Sequence, residues 1–290
     1  MGEWENGRRG EGVSYQKNYY KPKTGIMKTK ILLLLIILVS CNSAKNTGEK
    51  QEWISLFNGK DLEGWDIKFK GYELNNNFRN TFRVEDGILK VSYDNWDKFD
   101  GEFGHIYYKT PFSYYKLRIE YRFVGEQVTG GPSWAYRNNG AMLHSQSAAS
   151  MLLDQDFPVS IEGQLLGGDG VSERHTLNVC TPGTNIVIND SLITQHCTES
   201  TSKTYEGDQW VTAEFVVLGD KAIYHILGAD TVLTYSYPQV GGSGVPEGFP
   251  LAERTLLKGG YISFQAESAP TEFRKIELLD LSAKKDKRQK

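Results

Sequence analysis

Tyr115-Lys116-Leu117-Arg118-Ile119-Glu120-Tyr121-Arg122-Phe123 alternates without a break. Tyr115, Leu117, Ile119, Tyr121 and Phe123 share one face, and Lys116, Arg118, Glu120 and Arg122 share the other. A period of two with one apolar side is the pattern of a strand half-buried on a core. The same pattern recurs on either side of it. Residues 82–92 read as a hairpin turning at Glu85-Asp86-Gly87, with Val84, Ile88, Leu89 and Val91 as its apolar members. Residues 210–218, 222–227 and 232–237 read as strands joined by Gly219-Asp220 and Gly228-Ala229-Asp230. Residues 260–267 and 273–281 are two more, linked by Ser268-Ala269-Pro270. Helical periodicity is scarce after residue 50. Many short strands broken by Gly and Asp turns predict one all-β domain, a sandwich or jelly roll. Residues 125–150 and 241–250 are rich in Gly and are expected to run along a rim as loops.

The N-terminal region reads differently. Residues 31–39 are apolar throughout and follow Lys28 and Lys30. Such a run falls short of the ~20 residues a bilayer span needs, and it matches the apolar centre of a secretion signal. Leu38-Val39-Ser40-Cys41 resembles a bacterial lipobox, which makes Cys41 a lipidation site and the chain's expected anchor to a membrane. The expected location is the cell envelope, at its periplasmic face or at the cell surface. Met27 is the expected start, with residues 1–26 spurious upstream sequence and 27–40 the signal peptide. Residues 41–51 form a tether, 52–282 the domain and 283–290 a charged tail.

With 39% hydrophobic and 12% aromatic residues, the chain has ample apolar surface for a core. A formal charge of −3 offers no basis for a nucleic-acid partner. The segment before Cys41 is basic, so the remainder is more acidic still. In an oxidising compartment Cys180 and Cys197 are expected to pair, closing a loop of about 17 residues that contributes roughly 3 kcal/mol. A metal site on them is the weaker alternative, because the CxxC spacing is absent.

Common catalytic signatures are missing: there is no GxSxG, HExxH, P-loop or Rossmann glycine pattern. Opposed carboxylates of an ordinary glycosidase are also missing; Ile161-Glu162-Gly163-Gln164-Leu165 offers one acid and one amide. On a strand, Glu162 and Gln164 share a face, and Gln265 and Glu267 repeat that spacing while Ile262, Phe264 and Ala266 turn to the core. Two such pairs would make a polar, sugar-sized floor. Among the histidines, His144 sits between an Asn-Gly turn and a run of small polar residues, a credible pocket position. No histidine pair has metal-ligand spacing. A divalent cation on loop acids such as Asp154, Asp156 and Asp169 stays open.

Trp53-Ile54-Ser55-Leu56-Phe57-Asn58-Gly59-Lys60-Asp61-Leu62-Glu63-Gly64-Trp65 resembles the opening motif of the 3-keto-disaccharide hydrolase family. Phe82-Arg83-Val84-Glu85-Asp86-Gly87-Ile88-Leu89, Asn138-Asn139-Gly140-Ala141-Met142-Leu143-His144, Glu162-Gly163-Gln164 and Phe273-Arg274-Lys275-Ile276 follow in that family's order. The resemblance implies a concanavalin A-like jelly roll and action on glycosides oxidised at carbon 3. Two positions depart from it: His144 stands where Arg is common, and Glu267 where His is common. A ketone at carbon 3 acidifies the proton on carbon 2, so one base can start elimination of the aglycone from carbon 1. On this reading His144 is the base, with Glu162 as base or orienting partner. Gln164, Gln265, Glu267 and Arg274 bind the sugar, and Trp134 or Tyr136 stacks on it. The rival reading is a non-catalytic carbohydrate-binding lipoprotein.

Overall fold

The computed structural model describes residues 16–20 and 52–282. Cys41, the signal peptide, the tether and the charged tail lie outside the described residues. Residues 16–20 are exposed and in neither helix nor strand. The remainder is an all-β sandwich of two antiparallel sheets, with short 3-10 turns as its helical content.

Tyr114–Phe123 alternates half-buried and buried along its whole length. It sits inside the 10-stranded sheet, between Val211–Leu218 and Thr271–Asp280. The hairpin of Phe82–Glu85 and Ile88–Val91 closes one edge. Its turn places Asp86 and Gly87 at φ 53° and 77°, a left-handed pair whose twist suits a two-residue hairpin. Asp230–Val240 extends well beyond the segment that alternation picks out.

The second sheet has seven strands, in the order Cys197–Thr198, Asn178–Cys180, Ile161–Leu166, Asn138–Ser145, Gly260–Ala266, Gly104–Phe112 and Trp65–Phe69. Its central strand corrects the expectation of a rim loop over residues 125–150: Asn138–Ser145 is buried at every position. An Asn-Asn-Gly run imitates a turn locally, but here strands pair with it on both sides and satisfy its backbone. The core between the sheets is built from both, including Phe215, Phe273, Ile161, Leu165 and Phe264. Gly163 marks the close approach, since a Cβ there would lie 2.3 Å from the Phe215 ring.

Candidate active site

Because Ile161, Gly163 and Leu165 face the core, Glu162 and Gln164 must face outward from the seven-stranded sheet. Glu162 stands opposite Met142 on one side and Cys180 on the other, and Gln164 stands opposite Gly140 and Asn178. Gln265, two strands away from Glu162, pairs with His105 on the next strand. Between these strands Gly140 leaves a gap that the acid and the amide fill. A Cβ at position 140 would sit 2.5 Å from Gln265 Oε1 and 2.6 Å from Glu162 Oε1. Asn139, one residue earlier, turns toward the other sheet and holds Gln265 by its backbone. Its amide donates to the Gln265 carbonyl at 2.8 Å, and its oxygen accepts from the Gln265 N–H at 3.2 Å.

Over this floor opens a cleft of about 370 Å³, lined by Trp134, Asn138, Phe157, Glu162, Gln164, Pro182, His196, Glu267 and the Cys180–Cys197 pair. That volume falls in the ~300–1,000 Å³ range of small-molecule sites. Trp134 is 52% exposed and stacks on Phe103, with ring centroids 5.9 Å apart. Phe157 packs against the same Phe103 at 5.0 Å. Cys180 and Cys197 are disulfide-bonded, as expected, and directly opposed in register. With His196 they are the one group of three potential metal ligands among the described residues, and the disulfide occupies both sulfurs.

The floor is acidic and unneutralised, since neither Lys nor Arg lines the cleft. Burial pushes the Glu162 carboxyl up to about 8, opposed less strongly by a hydrogen bond from Gln265. Burial, together with the neighbouring Glu162 charge, holds Glu267 well above the ordinary carboxylate range. Burial also lowers His196. Gln265 Oε1, Glu267 Oε2 and Asn138 Oδ1 are buried without a hydrogen-bond partner, a concentration of open acceptors around one cleft.

Of the residues singled out from sequence, the cleft brings together Glu162, Gln164, Glu267 and Trp134, with Gln265 packed against Glu162. Three residues lie elsewhere. Alternation would put His144 on the open face with Gly140 and Met142, but the pairing with Gly260–Ala266 takes in an extra residue between Met142 and Ser145. At that bulge His144 adopts φ 50° and turns to the core, where Nε2 donates to the Gly219 carbonyl at 3.0 Å and the ring meets Tyr115 edge-on. It is not placed to act as the base. Arg274 lies on the other sheet, bonded to Glu120 at 2.5 Å and stacked over Trp210 at 4.5 Å. Tyr136 faces Arg137 and Arg174 instead of the cleft. The loop acids also disperse: Asp156 pairs with Lys70 and Asp169 caps its own turn. Sequence reading gave no site role to Asn138, Phe157, Pro182 and His196, although Asn138 opens the family-like Asn-Asn-Gly motif and His196 adjoins Cys197.

Fold and site together define a jelly-roll β-sandwich with a carboxyl-floored cleft on one sheet. The chain belongs to the 3-keto-alpha-glucoside-1,2-lyase-like domain family, whose model matches residues 52–279. A candidate glycosyl hydrolase from Parabacteroides distasonis, solved as a crystal structure, has a similar fold: TM-score 0.50 and 18% identity, over 80% of this chain and 95% of that one. A second from the same organism gives 0.47 and 17%, over 79% and 100%. A Bacillus subtilis protein of unknown function with a galectin-like fold gives 0.43 and 10%, over 79% and 94%. No curated protein matches the chain in sequence.

Proposed function

We propose that this domain cleaves glycosides whose sugar carries a ketone at carbon 3. The observation that carries the reading is Glu162, a buried carboxyl raised to about 8 at the floor of a sugar-sized cleft. A carboxylate of that basicity is matched to removing a proton acidified by an adjacent ketone near neutral pH. Gln164 lines the cleft beside it to hold the sugar hydroxyls, Gln265 holds the carboxyl itself from below, and the exposed indole of Trp134 offers a face to the ring. The family's name supports the same chemistry, and no opposed, water-spaced carboxylate pair is required for it. The base role suggested for His144 passes to Glu162, because His144 is turned into the core.

Incubating the protein with a 3-keto-glucoside should release the aglycone, and Glu162→Gln should lower kcat by about 10²–10⁴-fold. Turnover unchanged in that variant would remove Glu162 from the base role. Binding of unoxidised glycans with no product from the 3-keto form would favour the carbohydrate-binding reading instead.

A further inference from the structure

We propose that Glu267 is the acid that protonates the departing aglycone, working with Glu162 as a pair that holds one proton. The inference rests on the 3-keto reading above and supplies the second half of that reaction. Glu162 and Glu267 enter the cleft from the two strands that flank Asn138–Ser145, Glu162 from within Ile161–Leu166 and Glu267 from the exit of Gly260–Ala266. The Glu267 turn is pinned: the Ser268 N–H donates to the Tyr93 hydroxyl oxygen at 2.7 Å, and the Gln127 amide donates to Ser268 Oγ at 2.7 Å. Both carboxyls are buried, 6% and 3% exposed, and the remaining ionisable side chain on the lining is His196.

Two carboxyls in one low-dielectric pocket with no Lys or Arg on its lining do not both ionise, so when one gives up its proton the other keeps its own. The two are not equivalent. Glu162 has the Gln265 amide to stabilise its charge, whereas Glu267 Oε2 is buried with no donor, so Glu162 is the one that ionises to become the base and Glu267 the one that keeps its proton.

The electron flow then closes. Glu162 takes the carbon 2 proton, and the C–H electron pair moves onto the ketone oxygen as an enolate. The enolate re-forms the ketone as a double bond forms between carbons 1 and 2. The carbon 1–oxygen bond breaks onto the aglycone oxygen, which receives the Glu267 proton. Water adding to carbon 1 returns a proton to Glu267 as carbon 2 recovers one from Glu162. The pair ends as it began, and the net reaction is hydrolysis.

Leaving-group dependence tests this. Full-length protein is assayed with 3-keto-glucosides whose aglycones run from 4-nitrophenol to methanol. With an acid in place, wild-type kcat/KM should change little along the series. Glu267→Gln should stay within about tenfold of wild type on the 4-nitrophenyl substrate and lose about 10²–10⁴-fold on the methyl one. Glu267→Asp, still an acid, should keep the flat series at a lower rate. Equal losses on both aglycones in Glu267→Gln overturn the proposal. So does a steep dependence in the wild type, a measurement that needs no variant to fold. If the wild type releases no aglycone from any member, the 3-keto reading itself fails, and the pair fails with it.

Discussion

Glycine at position 140 does what no side chain could: it lets Glu162 and Gln265 meet above the middle strand. Its replacement is permitted by the backbone but not by the neighbours, which stand at 2.5–2.6 Å from the missing Cβ. Gly140→Ala should therefore keep the fold, because the ends of two side chains can shift, while displacing the carboxyl and lowering kcat by at least about tenfold. Circular dichroism and turnover on one preparation check both halves. Glu162 carries a further consequence for stability. Its folded pKa is raised, so the folded state holds a proton that the unfolded chain releases above its ordinary value of 4.5. Stability from this group is complete below that value and is lost as pH rises through about 8. Glu162→Gln abolishes the loss, so its melting temperature should exceed wild type by a margin that grows from pH 5 to pH 8. A margin independent of pH would contradict the shift. Glu162 and Gln164 were legible in the sequence because strand alternation needs nothing beyond neighbours in the chain. His144 was misread for the same reason, since the bulge that turns it inward belongs to its pairing with Gly260–Ala266.

At the scale of elements, the cleft's outer wall is a weak edge made secure by a covalent link. Cys197–Thr198 is a strand of two residues at the end of its sheet, joined to Asn178–Cys180 by the disulfide. The sequence separation of 17 gives an expected contribution of about 3 kcal/mol. Cys180→Ser/Cys197→Ser should lose that amount in urea unfolding, and reductant should bring wild type to the same midpoint. Failure of reductant to shift wild type would show that the link does not constrain the unfolded chain. The pairing was anticipated from cysteine count and compartment, whereas the register that sets Cys180 beside Glu162 was not. Asn138–Ser145 makes the complementary case. Buried on both faces, it has no alternation, and Asn-Asn-Gly resembles a turn until flanking strands supply its hydrogen bonds.

For the molecule as a whole, the two sheets are joined by polar as well as apolar contacts. His225, on the larger sheet, donates from Nδ1 to the Leu177 carbonyl at 2.8 Å and accepts from the Tyr235 hydroxyl at 2.9 Å through Nε2. Burial lowers it to about 4, and lowers His105, packed edge-on against Phe157, to about 3. Both are neutral in the fold while the unfolded chain takes up protons below its ordinary value of 6.5, so their stability is complete above that value and is lost as pH falls. Against the opposite trend from Glu162, the wild-type urea midpoint should fall relative to that of His225→Gln between pH 6.5 and pH 4, while the variant starts from a lower plateau. A difference between the two midpoints that is constant over the interval would refute the assignment. By itself the sequence determined the fold class and which of Glu162, Gln164, Gln265 and Glu267 share an outward face, and it favoured a cystine over a metal site. Each follows from alternation or composition, properties written along the chain. Only the tertiary structure decided that Glu162 and Glu267 open into one cleft, that Trp134 stands over them, and that His144 and Arg274 do not. Those outcomes depend on strand order, bulges and the exclusion of water, which arise when distant segments pack together.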